Sequence, residues 1–121
     1  MNFLFVFIGG GLGAITRYLI GIYWAQQNVW TSTLLSNLIA ALIIGVLYGV
    51  LEAKASSSNI LWLLLSVGFC GGLSTFSTFS LEIFQWIQQE KWLQCVVYIA
   101  LNVVLCTALI FATFKLWGAL K

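Results

Sequence analysis

Histidine, aspartate and proline do not occur among the 121 residues, and charged residues make up only 7% of the chain. Without histidine or aspartate, the sequence lacks the side chains that most often act as general acids, general bases and metal ligands. We therefore do not expect an enzyme. The charge content is also too low for a water-soluble surface, and the few basic residues form no cluster that would bind nucleic acid.

Cysteine is scarce as well. Cys70, Cys95 and Cys106 are odd in number and lack CxxC spacing, which disfavours a disulfide framework or a zinc site. We expect buried thiols that pack as small apolar side chains.

Hydrophobic residues, in contrast, make up 62% of the chain. A helix needs about 20 apolar residues to cross the hydrocarbon core of a bilayer, and four segments meet this requirement, at about 3–24, 32–51, 60–88 and 93–117. Short polar joints separate them. The sequence therefore predicts an all-α, multi-pass integral membrane protein, with one domain over residues 1–121 and both termini on the same side of the bilayer.

The basic residues give little direction to insertion. With four spans, Lys54, Lys115 and Lys121 fall on the side of the termini, Lys91 falls on the other side, and Arg17 lies in the far half of span one. Because orientation follows the Lys and Arg bias of the joints, a bias this weak would permit insertion in both orientations. This leads to the hypothesis of an antiparallel homodimer.

Glycines mark the first two spans as closely packed helices. Small residues allow helix backbones to approach where lipid gives no hydrophobic drive to associate. They are Gly9, Gly10, Gly11 and Gly13 in span one, and Ala41, Gly45 and Gly49 in span two. The pattern is compatible with packing inside one subunit and with a dimer interface.

The third predicted span contains the segment "CGGLST" at residues 70–75. Adjacent Gly71 and Gly72 favour unwinding at membrane depth, where non-helical backbone is tolerated only inside protein or beside a polar cavity. We therefore predict a break near residues 70–75. The alternative is that the glycines fit against a neighbouring helix.

A broken helix would expose carbonyls that attract a cation and amides that attract an anion. Five hydroxyls surround the predicted break and would add donors, although any one of them could instead bond to the preceding turn. They belong to Ser74, Thr75, Ser77, Thr78 and Ser80.

Phe76 and Phe79 share a helix face with Ile83 and Trp86. Such a stripe usually indicates packing. Aromatic rings have a positive edge, however, so two rings held edge-on beside hydroxyls could also contact a small anion.

Few other polar residues lie within the spans. Asn37 lies in span two, and Tyr98, Asn102 and Cys106 follow at four-residue spacing in span four. Each asparagine alone would indicate hydrogen bonding between helices, but together with span three they form a set rich in donors. Arg17 needs a partner in lipid and would act as a structural clamp or attract an anion.

Three segments resemble the small fluoride channels of the Fluc/CrcB family: "GGGLGAITRY" at 9–18, "SNLIAALIIG" at 36–45 and above all "GFCGGLSTFSTF" at 68–79. The resemblance extends through all four spans. It implies a dual-topology antiparallel homodimer with two fluoride pathways at the subunit interface. It also implies passive export of fluoride across the inner membrane of a bacterium.

The resemblance further implies roles for individual residues. Backbone carbonyls of Gly71 and Ser74 would hold a structural sodium ion at the dimer interface, although serine stands where threonine is usual. The implied fluoride pathway comprises Asn37, Phe76, Phe79, Ser77, Thr78, Tyr98 and Asn102, with Asn102 at a position where some relatives have a hydroxyl. Arg17 and Glu82 are expected to be structural or vestibule residues.

Two other functions are compatible with four short spans. A proton-coupled small multidrug-type transporter needs an intramembrane carboxylate, and Glu82 is the only acid within a predicted span. A non-catalytic subunit of a larger membrane assembly would conduct no ions, and it would give no reason for the clustered hydroxyls.

Overall fold

A computed structural model describes residues 1–24, 28–51 and 59–120 of the chain. Lys54 and Lys121, whose predicted side of the membrane entered the topology argument, lie outside these residues. All the regular structure in the described part is helical. Four helices are long and apolar enough to cross a membrane, and we call them spans one to four: Asn2–Trp24, Val29–Leu51, Trp62–Gln88 and Trp92–Ala119. The predicted all-α fold with four helices of membrane-spanning length is thereby confirmed.

Two of these spans contain stretches of π-helix, in which the backbone hydrogen bonds reach one residue further than in an α-helix. One covers Trp62–Cys70 in span three, and the other covers Leu101–Leu105 in span four. Asn59 precedes span three and caps its start, since its Oδ1 accepts from the Leu61 amide at 3.0 Å.

Span one packs along the first half of span three, backbone against backbone. A methyl group at Gly13 would overlap the carbonyl oxygen of Phe69, and one at Gly9 would overlap that of Leu64. Gly72 fits in the same way against the carbonyl oxygen of Gly10. Small residues on both helices thus permit contact over several turns.

Span two packs in a similar way along span four. A methyl group at Gly45 would lie 3.0 Å from the Ile110 Cα, and one at Gly49 would lie 2.9 Å from the Trp117 Cβ. For Gly9, Gly13, Gly45 and Gly49, the structure therefore supports packing within one subunit. Gly11 has no such neighbour within 4 Å.

Span three departs from helical geometry at two residues. Ser74 has φ −72° and ψ 152°, and Thr75 has φ −148° and ψ 117°, which are both extended. The prediction that Gly71 and Gly72 would unwind the helix was wrong. Both glycines are themselves helical, in the short turn Gly71–Leu73. The helix resumes at Phe76–Gln88.

The joint between spans three and four is a tight helix-terminating turn at Glu90. The Lys91 amide donates to the Trp86 carbonyl at 2.9 Å, and the Glu90 amide donates to the Ile87 carbonyl at 3.0 Å. This pair of bonds is the Schellman motif, whose central residue adopts a left-handed conformation that favours glycine. Glu90 occupies that position with φ 57°.

Replacing Glu90 by glycine is therefore expected to stabilise the protein by about 1 kcal/mol, because a residue with a Cβ pays roughly 1–2 kcal/mol in this conformation. The free energy of unfolding in detergent, measured by titration with a denaturing detergent, checks this. The control is Gln89→Gly, at a neighbouring residue with φ −94°, where glycine should not stabilise. An unchanged Glu90→Gly stability would contradict the prediction.

Candidate functional site

The second half of span three begins with Thr75 as its N-cap. The Thr75 Oγ1 accepts a hydrogen bond from the Thr78 amide at 3.2 Å and donates to the Thr78 Oγ1 at 3.0 Å. The Ser77 hydroxyl lies 3.4 Å from the Thr75 Oγ1. Three of the five predicted hydroxyls therefore surround the first turn of this half-helix, where unpaired amides need acceptors. The other two, of Ser74 and Ser80, donate to carbonyls of the preceding turn, those of Cys70 and Phe76, each at 2.8 Å.

Removing this cap should weaken the start of the half-helix. We expect Thr75→Val, which keeps the shape and loses the oxygen, to lower the free energy of unfolding by about 1 kcal/mol. Thr75→Ser retains the hydroxyl and should stay within roughly 0.5 kcal/mol of the parent protein. Detergent unfolding of both variants tests this, and equal losses would show that the methyl group and not the cap matters.

Asn37 connects span two to the interruption. Its Oδ1 accepts from the Thr75 amide at 2.9 Å, and its Nδ2 donates to the Asn102 Oδ1 at 2.9 Å. In an uninterrupted α-helix the Thr75 amide would donate to the Gly71 carbonyl. The extended conformation of Ser74 and Thr75 frees this amide from the helix. The side chain of Asn37 then replaces the Gly71 carbonyl as its acceptor.

Asn102 lies in the π-helical stretch of span four. It is buried, with 7% of its surface exposed, and its Nδ2 donates to the Tyr98 carbonyl at 3.1 Å. The sequence placed Tyr98, Asn102 and Cys106 on one face. Tyr98 is also buried and Cys106 is half-buried. All three cysteines, Cys106 among them, are free.

Glu82 is buried between spans two and four. Its Oε1 accepts from the Thr33 hydroxyl at 2.8 Å, and its Oε2 accepts from the Tyr98 hydroxyl at 2.6 Å. Burying a carboxyl group is costly unless its oxygens are hydrogen-bonded, and here each oxygen has a donor. Thr33 lies one turn before Asn37 in span two. Its spacing of four residues from Asn37 was the signal that it belongs to the site.

An aromatic cluster lies beside this polar network. The rings of Phe76 and Phe79 are 5.8 Å apart and tilted by 44°, and the Phe79 ring lies 5.0 Å from that of Tyr98. Phe79 is buried, whereas 79% of the Phe76 side chain is exposed. The two rings therefore meet at the boundary between the interior and the surface of the subunit.

A cavity of about 320 Å³ lies where these groups converge. We call it the interruption cavity. Its lining includes residues from three spans: Asn37, Ser74, Thr75, Phe76, Phe79 and Asn102. Each asparagine amide carries two N–H donors, and the bonds given above use one of each. One N–H of Asn37 thus has no acceptor within the described residues.

Arg17 lines a different cavity, of about 350 Å³, together with Thr75 and Thr78. The remaining hydroxyl-bearing residues of this cavity are Tyr18, Ser32, Thr33 and Ser36. Arg17 forms no ion pair with the part of the chain that the structure describes. A half-buried guanidinium among hydroxyls attracts anions.

The described residues contain no cluster of three or more histidine, cysteine, aspartate or glutamate side chains that could hold a metal ion. Main-chain carbonyl oxygens are another kind of ligand for a metal ion. Gly71 is exposed, and its carbonyl loses its usual helical donor to Asn37. Ser74 turns its carbonyl away from the helical direction at ψ 152°. Hard cations such as sodium suit donors of this kind.

Fold and site together define a small α-helical membrane protein with a donor-lined interruption in its third span. The family model described as CrcB-like protein, Camphor Resistance (CrcB), matches residues 4–114. The chain belongs to this family.

Several relatives named "Fluoride-specific ion channel FluC" are similar over nearly the whole length. One from Pyrococcus abyssi is 43% identical over 93% of this chain and 93% of its own. One from Shewanella loihica is 41% identical over 91% and 90%. "Fluoride-specific ion channel FluC 1" of Staphylococcus aureus is 33% identical over the full length of both chains.

Proposed function

We propose that this protein is a fluoride-selective channel through which fluoride leaves the bacterial cytoplasm passively, which protects the cell from fluoride toxicity. The proposal rests on family membership and on the names of the relatives. The structural observation that carries it is the interruption cavity, where the amides of Asn37 and Asn102 lie beside two phenylalanine rings and one N–H of Asn37 is unused. A channel of this kind is not an enzyme.

The chemistry of the cavity suits a small anion. A bare ion in a medium of low dielectric constant costs tens of kcal/mol by the Born estimate, while each hydrogen bond to a charged group returns about 1.5–3 kcal/mol. Several donors must therefore replace water along the path. The free N–H group of Asn37, the amide of Asn102 and the hydroxyls of Ser77 and Thr78 are the donors of the proposed pathway. Tyr98, whose hydroxyl donates to Glu82, contributes its ring.

No lysine lines the interruption cavity, and its aromatic edges attract an anion only weakly. Conduction requires sites that bind an ion and also release it. Phe76 and Phe79 supply such a site in the proposed pathway, where fluoride passes between ring edges and hydroxyls. Arg17 is the proposed attractor in the neighbouring cavity, and Glu82 holds Tyr98 and Thr33 in position.

We also propose that the functional unit is an antiparallel, dual-topology homodimer in the inner membrane. Four helices enclose little space, and Gly71, Phe76 and Ser77 are all exposed on a single subunit. A path lined by these residues would be closed only by a second copy. Two symmetry-related pathways would then run along the interface.

A structural sodium ion at the interface completes the proposal. The backbone carbonyls of Gly71 and Ser74 from each subunit would hold it, because both are among the carbonyls that the interruption releases from helical hydrogen bonding. The ion would supply positive charge that fixes the two interruptions against each other. Serine in place of threonine at residue 74 should be tolerated, since only its carbonyl would bind.

Glu82 keeps one alternative open, that of a proton-coupled small multidrug-type transporter. It is a buried carboxyl group in a span, as such a transporter requires. Neutralising it by Glu82→Gln discriminates between the two functions: loss of proton-coupled uptake would support the transporter, whereas fluoride release with no dependence on a proton gradient would support the channel.

The direct test is fluoride release from liposomes. The purified protein is reconstituted in vesicles loaded with potassium fluoride, release is triggered by valinomycin, and a fluoride electrode records it. Chloride-loaded vesicles serve as the control. We expect rapid fluoride release without chloride release. A folded protein that releases neither ion would overturn the proposed function.

A further inference from the structure

A third cavity, of about 470 Å³, lies at the end of the bundle where span two begins, span three ends and span four begins. We call it the loop-end cavity. Its polar lining comes from Asn28, Lys91, Gln94 and Tyr98, and its aromatic walls come from Trp30 and Trp86. None of the roles proposed above uses Lys91, and of the residues named here only Tyr98 has a role in the proposed pathway.

Lys91 is the cationic residue of this lining. Its neighbour Glu90 is turned into the left-handed conformation at the end of span three and does not line the cavity. Within residues 1–24, 28–51 and 59–120, Lys91 forms no ion pair. The charge therefore acts on the cavity without being neutralised by a fixed carboxylate.

Tyr98 separates the loop-end cavity from the interruption cavity. It lines the first, and its ring lies 5.0 Å from that of Phe79, which lines the second. The Tyr98 hydroxyl is held by Glu82 at 2.6 Å. The contact between Tyr98 and Phe79 thus lies between the cavity at the end of the bundle and the cavity beside the interruption.

We infer that the loop-end cavity is a mouth of the ion path and that Lys91 raises the local concentration of fluoride there. The inference rests on the proposed function. Charged clefts increase the entry rate of an oppositely charged ion. An exposed lysine has this effect without trapping the ion, because water surrounds its ammonium group and salt screens it.

The matched pair of variants is Lys91→Gln and Lys115→Gln. Each removes one exposed positive charge, and Lys115 lies at the other end of span four, 5.6 Å from the centre of the Phe111 ring. In the proposed antiparallel dimer each membrane face carries one copy of both lysines. A general effect of surface charge would therefore change both variants equally, whereas an effect of the cavity would change only Lys91→Gln.

Fluoride efflux is measured at roughly 10 mM and roughly 300 mM ionic strength, adjusted with an impermeant salt. We expect Lys91→Gln to reduce the efflux rate about two- to threefold at low ionic strength, and to match the parent protein at high ionic strength. Lys115→Gln should match it at both. Equal rates for the parent and Lys91→Gln at low ionic strength would overturn the inference.

A second measurement tests the mouth without changing its charge. Gln94→Cys, modified with a bulky thiol reagent, should lose most of its fluoride efflux. This cysteine and that of the control Gln88→Cys are introduced into a Cys106→Ser protein, because the native Cys106 lines the interruption cavity. Gln88→Cys, at an exposed glutamine outside the cavity lining, and the Cys106→Ser protein itself should keep their efflux. Undiminished efflux in modified Gln94→Cys would also overturn the inference. Absence of efflux from the parent protein would instead count against the proposed function.

Discussion

Fluoride release through the Phe79→Ile variant is expected to fall to the level of protein-free liposomes. Phe79 lines the interruption cavity. Its ring contacts that of Phe76 and also that of Tyr98, which belongs to the polar network. Isoleucine fills much of the same space but has no aromatic edge to present to an anion. Release of fluoride from potassium fluoride-loaded vesicles, triggered by valinomycin, gives the measurement.

The variant should remain folded, because the lost ring contacts are worth only about 0.5–1.5 kcal/mol each beyond the buried area. Elution as a single species of unchanged size checks this. Phe84→Ile is the matched control, since Phe84 is on the same half-helix and 56% exposed, and it should conduct like the parent. Phe76→Ile is expected to behave like Phe79→Ile. Undiminished release in both would remove the aromatic pair from the mechanism.

Composition and hydropathy were sufficient to predict the four spans, because the thickness of a bilayer fixes the length of the apolar segments that cross it. The hydroxyls around residues 74–80 were likewise visible as a cluster. The arrangement of these hydroxyls around the interruption could not be predicted from the sequence. The glycines remain helical, and the extended residues follow them at Ser74 and Thr75. Gly72 instead packs closely against Gly10 of span one. This supports the alternative interpretation, in which the glycine fits against a neighbouring helix.

The long-range pairs could not be predicted from local pattern. Asn37 meets Asn102 across 65 positions of sequence, and Thr33 meets Glu82 across 49. Both contacts depend on how the spans are rotated about their axes. The π-helical stretch at Leu101–Leu105 contains Asn102, and a stretch of this kind shifts the faces of a helix relative to regular α-helical spacing. No sequence signal indicated it.

The close contact between spans one and three makes the strongest prediction for folding. Replacing Gly13 by alanine is expected to destabilise the protein by about 3 kcal/mol or more. The added methyl group would overlap the carbonyl oxygen of Phe69 and lie 2.8 Å from the Leu73 amide nitrogen. Both obstacles are main-chain atoms, so no side-chain rotation relieves the clash, and the two helices must separate.

Gly11→Ala is the matched control, because a methyl group there meets nothing within 4 Å in the subunit. If Gly11 faces lipid, this variant should retain its stability, and it should gain slightly from the better helix propensity of alanine. Size-exclusion chromatography and detergent unfolding of both variants separate the outcomes. A stable Gly13→Ala protein would mean that spans one and three are further apart than this packing requires. The first half of span three, which carries the carbonyl of Gly71, would then be positioned by other contacts.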